Sequence, residues 1–237
     1  MTLYDRSALL YDAMYRGIGK DYPAESAEVA ELVLRRRPGA RTLLDVACGT
    51  GGHLEHLRDR FTVTGFERSS HMADLARKKV PGVDIHEGDM RRFDLGTTFD
   101  AVTCLFSSIG YMTTTEDLAR AVTAMVGHLS PGGVLVVDPW LFPERWIDGH
   151  VGAVATSEPG MAVARVTSSH RLGRLSVLEY HYTAATAEGV DRFSERHEMG
   201  LFTRAEYEAA FERAGATGVT YEPGGFDARG RFVATRP

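Results

Sequence analysis

The chain has 237 residues, of which 43% are hydrophobic and 25% charged, and its formal net charge is −5. These values are typical of a soluble globular protein with one large domain or a domain plus a small insert. The negative charge argues against a large nucleic-acid footprint. The N-terminus carries charges instead of an apolar signal core, and no apolar run approaches the ~20 residues of a membrane span.

The chain's cysteines, Cys48 and Cys104, fall at the ends of predicted buried strands. Two cysteines cannot form a disulfide framework, so their placement predicts reduced thiols and a cytoplasmic protein. No cluster of cysteine and histidine has the spacing of a zinc site, and we therefore expect no bound metal.

The first 22 residues hold four tyrosines around two glycines. The segment SALLYDAMY has helical spacing, and a second helix is predicted at residues 23–37, with proline in its first turn and arginines at its end. Two interpretations of the tyrosines stay open. They pack as an amphipathic surface, which is common for tyrosine, or they form a flap over a polar, flat ligand.

The segment TLLDVACGTGGHL, residues 42–54, predicts a ligand site between a strand and a helix. Residues 42–46 read as a buried strand, and the glycines after it allow a ligand to approach the backbone without a Cβ clash. The helix start offers unpaired N–H groups at the strand's carboxyl end. A dinucleotide fingerprint needs a third glycine where this chain has Leu54. A tight turn in some other α/β protein is the alternative to a ligand loop.

Acidic residues follow the next two predicted strands. Glu67 ends a strand at residues 62–66, 22 residues after Asp45, where a carboxylate is placed to accept hydrogen bonds from two ribose hydroxyls. A strand at 83–86 is followed by Gly88-Asp89-Met90. The alternatives are a solvated strand-end charge for Glu67 and a simple turn residue for Asp89.

Two further buried strands are predicted at residues 99–106 and 134–137. Apolar strands without alternation indicate a parallel sheet that is buried on both faces. A helix at 118–129 and a turn at 130–133 connect them.

The pattern changes in the last third of the chain. Residues 151–202 alternate between apolar and polar side chains, which predicts antiparallel strands. Thr203 and Glu206 have the spacing of a capping box. The closing elements are a helix at 203–214, strands at 219–222 and 231–235, and a glycine-rich loop at 224–230 that carries Arg229.

The pattern D-x-A-x-G-x-G from Asp45, with Glu67, Gly88-Asp89-Met90 and the P-G-G turn, resembles the class I methyltransferases that use S-adenosylmethionine. The resemblance implies an α/β fold with a Rossmann-like, mostly parallel seven-stranded sheet and an antiparallel β insert over the active site. It also implies three regions: a flap helix and cofactor-binding core at 1–144, an insert that serves as a lid for substrate or dimer at 145–202, and a final helix with closing strands at 203–237.

Longer stretches resemble the bacterial methyltransferases of nucleotide-linked amino sugars, which act on dTDP-linked 3-amino or 4-amino deoxysugars in antibiotic pathways. These stretches are KDY, LLDVACGTG, GDMR-x-F, FDAVTC-x-FSSIG, LFPE, RV-x-S, E-x-HY, LFTR-x-x-YE-x-AF and GG-x-x-x-RG. The resemblance implies in-line transfer of methyl groups to a neutral amine, N,N-dimethylation, a nucleotide-sugar substrate and a homodimer.

The same resemblance implies the residues of the site. The cofactor-binding residues are expected to be Tyr11, Tyr22, Asp45, Ala47, Gly49, Gly51, His53, Glu67, Met72, Asp89, Met90, Leu105 and Phe106. The substrate-binding residues are expected to be Tyr4, Trp140, Arg165, His181 and Arg229, with Arg229 on a diphosphate.

Two positions depart from the family's pattern. Tyr111 is the expected catalytic residue, but it stands where relatives carry histidine, and a phenol with pKa near ~10 is a poor base. Leu141 stands where relatives carry a second tryptophan. His181 and His197, on predicted insert strands, are alternative polar contacts, or they face solvent.

Other functions remain open at this stage. The chain could methylate oxygen or nitrogen on another small natural product, or bind the cofactor without turnover. A nicotinamide-dependent reductase is a third alternative, and Leu54 in place of the third glycine argues against it.

Overall fold

The computed structural model describes residue 4, residues 6–225 and residues 228–237. Parts of the predicted N-terminal segment and of the loop at 224–230 lie outside the described residues. Among the described residues, the strands are β1 Thr42–Val46, β2 Thr62–Glu67, β3 Asp84–Glu87, β4 Phe99–Cys104, β5 Leu129–Val137, β6 Val151–Glu158, β7 Met161–Leu172, β8 Leu175–Thr186, β9 Gly189–Gly200, β10 Thr217–Glu222 and β11 Arg231–Thr235. The α-helices are α1 Ala8–Gly17, α2 Tyr22–Arg36, α3 Leu54–Leu57, α4 Ser70–Lys79, α5 Thr115–Gly127 and α6 Arg204–Arg213.

Seven strands form the central sheet in the order β10-β11-β5-β4-β1-β2-β3. The first five strands run parallel, with Leu43 of β1 paired to Val63 on one side and Ala101 on the other. Strand β11 runs antiparallel to β5, where Phe232 pairs with Val137. The three apolar partners, Val63, Ala101 and Val137, are buried, and so are Leu43 and Phe232, as expected for a sheet covered on both faces. The predicted fold class is confirmed.

The turns at the carboxyl edge of the central sheet differ from the predicted ones. Strand β4 stops at Cys104, two residues before its predicted end, because Phe106 and Ser107 adopt left-handed φ values of 54° and 62°. This sharp turn ends the strand at the carboxyl edge of the sheet, and the N–H of Phe106 donates to Asp138 at 3.1 Å. Strand β5 begins at Leu129, so the predicted turn at 130–133 lies inside the strand as a local irregularity.

The second sheet contains four antiparallel strands in the order β6-β7-β8-β9. Helix α1 packs on this sheet, with Leu10 and Met14 in a cluster that includes Val163, Tyr182 and Phe193. Burial of such apolar faces is the main contribution to docking of an amphipathic helix.

Helix α1 is also fixed to the central sheet. Asp12 accepts a hydrogen bond from the Thr50 hydroxyl at 2.6 Å and pairs with Lys79 of α4. The helix therefore bridges the glycine loop and the antiparallel sheet.

The closing elements follow the sequence closely. Thr203 accepts a hydrogen bond from the N–H of Glu206, whose carboxylate accepts from the N–H of Thr203, and this completes the predicted capping box at the start of α6.

Candidate active site

Two cavities of about 400 and 470 Å³ lie at the carboxyl edge of the central sheet, between that sheet and the antiparallel sheet. Four residues line both cavities: Tyr4, Tyr11, Ser108 and Tyr111. Two are supplied by the N-terminal segment and two by the turn after β4. The cavities are therefore neighbouring compartments that share one wall. We call the smaller one the loop cavity and the larger one the arginine cavity.

The loop cavity is lined by residues of the glycine loop and of the segments after β2 and β3. The residues that line this cavity but not the arginine cavity are Ala47, Gly49, Glu67, Arg68, Ser69, Met72, Asp89, Met90 and Met112. Six of them were predicted to bind cofactor: Ala47, Gly49, Glu67, Met72, Asp89 and Met90. Helical packing and strand order place all six around one space.

Glu67 is held at the edge of the loop cavity by two backbone donors. Its carboxylate accepts hydrogen bonds from the N–H of Gly49 at 2.9 Å and from the N–H of Ser69 at 2.8 Å. The side chain is 8% exposed, and burial raises the pKa of this carboxyl despite those two bonds. A carboxylate fixed in this way keeps further lone pairs for hydroxyl donors of a ligand.

Asp45 carries a buried oxygen that has no hydrogen-bond partner among the residues that the structure describes. The hydroxyl of Thr103 donates to Oδ1 at 2.8 Å, whereas Oδ2 has no such partner. Burial, with Glu67 and Asp138 nearby, raises the pKa of Asp45 to about 7. A buried polar atom without a partner costs about 1–3 kcal/mol, so the site favours a ligand that brings a hydrogen-bond donor or positive charge to Asp45.

A third, small cavity of about 20 Å³ adjoins Asp45. Tyr11, Tyr22, His53, Leu105 and Phe106, all predicted to bind cofactor, are among the residues that line it. His53 contacts Glu25 at 3.3 Å, and burial lowers the pKa of this imidazole, so the neutral ring is favoured.

Asp89 and Gly51 differ from their predicted surroundings. Asp89 lines the loop cavity, but Arg91 donates to both of its oxygens from Nε at 3.0 Å, and these bonds lower the pKa of Asp89 to about 2. Gly51 lines none of the three cavities. Its φ of 81° turns the chain against α4, where an added Cβ would lie 3.3 Å from Ala76. Gly51 therefore supports the shape of the loop, and its role as a cofactor contact stays a prediction.

The arginine cavity is named for three guanidinium groups among its lining residues, Arg145, Arg165 and Arg229. Arg229 stacks on the ring of Trp140 at 4.4 Å and donates to the hydroxyl of Ser107 at 3.1 Å. Arg165 stacks on Tyr180 at 4.3 Å. Stacked, planar guanidinium groups are suited to bidentate recognition of phosphate.

The antiparallel sheet presents one face of β7 and β8 to the arginine cavity. Thr167 pairs with Tyr180 and Ser169 pairs with Leu178, and all four line the cavity. His181 occupies the opposite face, where it is exposed and contacts the hydroxyl of Ser194 at 2.7 Å. His181 therefore lies away from the arginine cavity, because a strand turns successive side chains to opposite faces, and its role as a substrate contact stays a prediction.

Several residues at the arginine cavity were missed by sequence reasoning: Tyr15, Arg145, Trp146, Tyr180 and Met199. The alternation of Leu178 and Tyr180 was a usable signal for β8. The other positions depend on how α1 and the segment after β5 fold over the cavity.

The shared wall contains a hydrogen-bonded pair of phenols. The hydroxyls of Tyr4 and Tyr111 are in contact, and the Tyr111 hydroxyl also contacts His197 Nδ1 at 2.7 Å. Burial raises the pKa of Tyr111 well above its usual value, so the phenol stays neutral.

The residues around the loop cavity and the small cavity beside Asp45 fit S-adenosylmethionine. Asp45 offers an unpaired oxygen for an ammonium group, Glu67 offers acceptors for ribose hydroxyls, and Met72 and Met90 offer apolar surface. Together with the strand order, these features define a class I methyltransferase. Among the described residues, no group of three or more His, Cys, Asp or Glu side chains is placed to hold a metal ion.

Comparisons with known proteins identify the family. A family described as a methyltransferase domain matches residues 43–133. The dTDP-3-amino-3,4,6-trideoxy-alpha-D-glucopyranose N,N-dimethyltransferase of Streptomyces venezuelae is 50% identical over 226 residues, which cover 94% of this chain and 95% of that relative.

Solved structures agree. The crystal structure of Streptomyces venezuelae DesVI is 49% identical and superposes with a TM-score of 0.93, covering 97% of this chain and 98% of that one. The S-adenosylmethionine-bound amino pentose methyltransferase from Micromonospora echinaspora, involved in calicheamicin biosynthesis, is 48% identical with a TM-score of 0.87, covering 100% of this chain and 99% of that one. The chain therefore belongs to the family of the dTDP-amino-deoxysugar N,N-dimethyltransferases, which are S-adenosylmethionine-dependent enzymes.

Proposed function

We propose that this enzyme transfers methyl groups from S-adenosylmethionine to the amine of a dTDP-linked amino deoxysugar and completes an N,N-dimethylation. The observation that carries the proposal is the shared wall between the loop cavity and the arginine cavity. A cofactor in one compartment and an anionic nucleotide sugar in the other meet at Tyr4, Tyr11, Ser108 and Tyr111. The relatives named above support this substrate class.

The loop cavity and the small cavity beside Asp45 supply the cofactor contacts in this proposal. Glu67 accepts from the ribose hydroxyls, and the Asp45 oxygen without a partner accepts from the cofactor's ammonium group. Met72 and Met90 pack against the adenine. Tyr11, Tyr22, Leu105 and Phe106 enclose the methionine end. Asp89 stays paired with Arg91 and borders the adenine as an acceptor.

The chain's contribution to the reaction is positioning and exclusion of water. S-adenosylmethionine supplies a methyl group bound to a positively charged sulfur. The transferred group is cationic before and after transfer, so the site needs little new charge stabilisation and acts by holding the amine in line. Arg165 and Arg229 hold the diphosphate, and Trp140 and Tyr180 support these guanidinium groups.

Substitution of Arg229 tests the substrate class. Arg229→Ala is expected to raise the KM for a dTDP-amino sugar by about 10- to 100-fold, because a hydrogen bond to a charged group contributes about 1.5–3 kcal/mol. The affinity for S-adenosylmethionine should not change. The matched control is Arg174→Ala, which removes an exposed arginine that pairs with Glu206 on the surface. An unchanged KM in Arg229→Ala would instead favour a small natural product without phosphate.

The proposal includes a cytoplasmic homodimer. Cys48 and Cys104 are both free and buried, as in reducing compartments. Val151 on the edge strand β6 and Val166 on the adjacent strand β7 are 71% and 56% exposed and offer an apolar surface for a second copy. Sedimentation equilibrium tests the dimer, and Val151→Glu with Val166→Glu should shift it to monomer. No helix among the described residues has the length and apolarity to cross a membrane.

A further inference from the structure

A series of polar contacts connects the shared wall to the interior face of the antiparallel sheet. The Tyr111 hydroxyl lies 2.7 Å from His197 Nδ1, and His197 Nε2 lies 3.4 Å from Glu195 Oε2. Glu195 also accepts from the hydroxyl of Ser7 at 2.8 Å and from the N–H of Ser7 at 3.3 Å. These contacts therefore connect the surface of the shared wall to a buried imidazole and then to a carboxylate.

His197 and Glu195 are ionisable groups in an apolar part of the antiparallel sheet. His197 is 1% exposed and Glu195 is 8% exposed, and both lie on the inner face of β9 between Phe193 and Met199. Apolar residues fill that face on either side, and buried ionisable groups are destabilising unless they are paired. His197 lines neither large cavity, so it does not contact the substrate directly.

The proposed reaction requires a group that accepts a proton from the substrate's ammonium group. An aliphatic amine is protonated at neutral pH, and its lone pair is blocked until one proton leaves. Tyr111 is the polar group on the shared wall that reaches the buried histidine, but a neutral phenol is itself a poor base. Coupling to an imidazole removes that difficulty, because the phenol then passes a proton on without becoming an anion.

We propose that His197 is the acceptor for the substrate's ammonium proton and that Tyr111 conducts the proton to it. This inference rests on the proposed function. The N–H bond of the ammonium breaks and its proton forms a bond to Tyr111 Oη, while the Tyr111 proton moves to His197 Nδ1. The products are a neutral amine, a neutral phenol and an imidazolium whose Nε2–H donates to Glu195. Charge is conserved, and the imidazolium returns its proton to solvent before the next turnover.

The groups that face His197 are consistent with this role. Tyr4 and Tyr180 place their rings 5.2 and 4.8 Å from the imidazole, from the N-terminal segment and from β8. Tyr182 and Arg165 lie nearby on β8 and β7, where Arg165 stacks on Tyr180. Glu195 is the carboxylate in contact with His197. Burial acts to raise the pKa of Glu195, but hydrogen bonds from His197 and Ser7 lower it overall, so its negative charge is retained beside an imidazolium.

The experiment compares pH profiles of kcat in the full-length enzyme with a dTDP-amino sugar. At pH 7, His197→Gln is expected to lower kcat by about 100-fold, within the range for proton-transfer assistance. At pH 9.5 the free amine is abundant, so the loss should shrink to about threefold. Glu195→Gln should move the acidic limb of the wild-type profile toward lower pH. His170→Gln, an exposed histidine on β7, is the matched control and should follow the wild type.

The outcomes separate the two proposals. A wild-type enzyme without activity on any dTDP-amino sugar overturns the proposed function. An active wild type with a His197→Gln profile of the same shape, or with an equal loss at both pH values, overturns the relay. If His197→Gln fails to fold, as judged by its thermal midpoint and its affinity for S-adenosylhomocysteine, Tyr111→Phe replaces it. Tyr111→Phe interrupts the same path and must show the same pH-dependent loss for the relay to stand.

Discussion

The central sheet and the antiparallel sheet build their halves of the site in different ways. The parallel strands end at one edge, and their loops supply backbone N–H groups and two carboxylates to the loop cavity. The antiparallel strands supply a face, where aromatic and basic side chains from neighbouring strands lie side by side. One half therefore depends mainly on backbone shape and the other on side-chain identity.

This difference indicates where substrate specificity can change within the family. The matched methyltransferase domain spans residues 43–133, which contain the loop-cavity segments and none of the antiparallel sheet. A backbone-built cofactor site tolerates changes around it, whereas a side-chain-built face can be altered one residue at a time to fit another sugar. Specificity is therefore expected to reside in the antiparallel sheet and in the loops that fold over it.

Substitution of Glu67 is expected to impair cofactor binding strongly without affecting the arginine cavity. Glu67→Ala is expected to weaken S-adenosylmethionine binding by about 100-fold or more, because two charge-assisted hydrogen bonds to ribose are lost. Isothermal titration calorimetry measures this affinity. Binding of dTDP alone to the arginine cavity should be unchanged.

Glu87 provides the control for Glu67. It ends the neighbouring strand β3 but pairs with Arg77 on the surface. Glu87→Ala should bind the cofactor as the wild type does, and equal losses in the two variants would show that Glu67 has no special contact.

The ionisation of Asp45, in the cofactor half of the site, makes the stability of the protein depend on pH. Its pKa of about 7 lies above the unfolded value of ~3.9, so the folded protein binds an extra proton between those values. The stability from this proton is complete below pH ~4 and is lost as pH rises through about 7. Asp45→Asn should therefore be more stable than the wild type at pH 8, by about 2 kcal/mol in urea unfolding, and nearly equal at pH 4.

The same substitution should weaken cofactor binding. Without the carboxylate, affinity for S-adenosylmethionine at pH 8 is expected to fall by about tenfold. Asp59→Asn, at an exposed position, is the control for both measurements. A variant with lower stability at pH 8 would contradict the assignment of a buried, costly charge to Asp45.

Asp12 tests whether the halves are coupled, and its effect should be the smallest. Asp12→Ala removes the contacts of α1 with Thr50 and Lys79, which are half-buried and contribute about 1 kcal/mol. Because α1 carries Tyr11 of the shared wall, we expect about a fivefold increase both in the Kd for cofactor and in the KM for the sugar. Asp74→Ala on α4 serves as control, and a change in only one of the two constants would show that the halves are independent.

The central sheet could be predicted from the sequence because its signals are local. The bounds of β1 and β11 agree with the predicted ones, since short apolar runs and flanking turn residues mark both ends. The glycine loop and Glu67 were predicted for the same reason. Asp89 lines the loop cavity, as its position after β3 indicated, but its pairing with Arg91 depends on side-chain geometry that spacing does not reveal.

The alternation of residues predicted the antiparallel strands but not which of their side chains face the site. Alternation shows that two faces exist, and the register decides which one meets the site. Tyr180 pairs with Glu195 and His181 pairs with Ser194, so His181 lies outside whereas His197 shares the inner face. Only the arrangement of α1 against this sheet distinguishes the faces, and that is a long-range contact.

Tyr4 has a further consequence for the timing of the catalytic cycle. Its φ of 69° lies in the left-handed region, which costs a non-glycine residue about 1 kcal/mol or more. The contact between its hydroxyl and Tyr111 offsets part of this strain, and Tyr4 lines both large cavities. We expect the remaining strain to make this contact easier to break, so separation of Tyr4 from Tyr111 should accompany release of the methylated product.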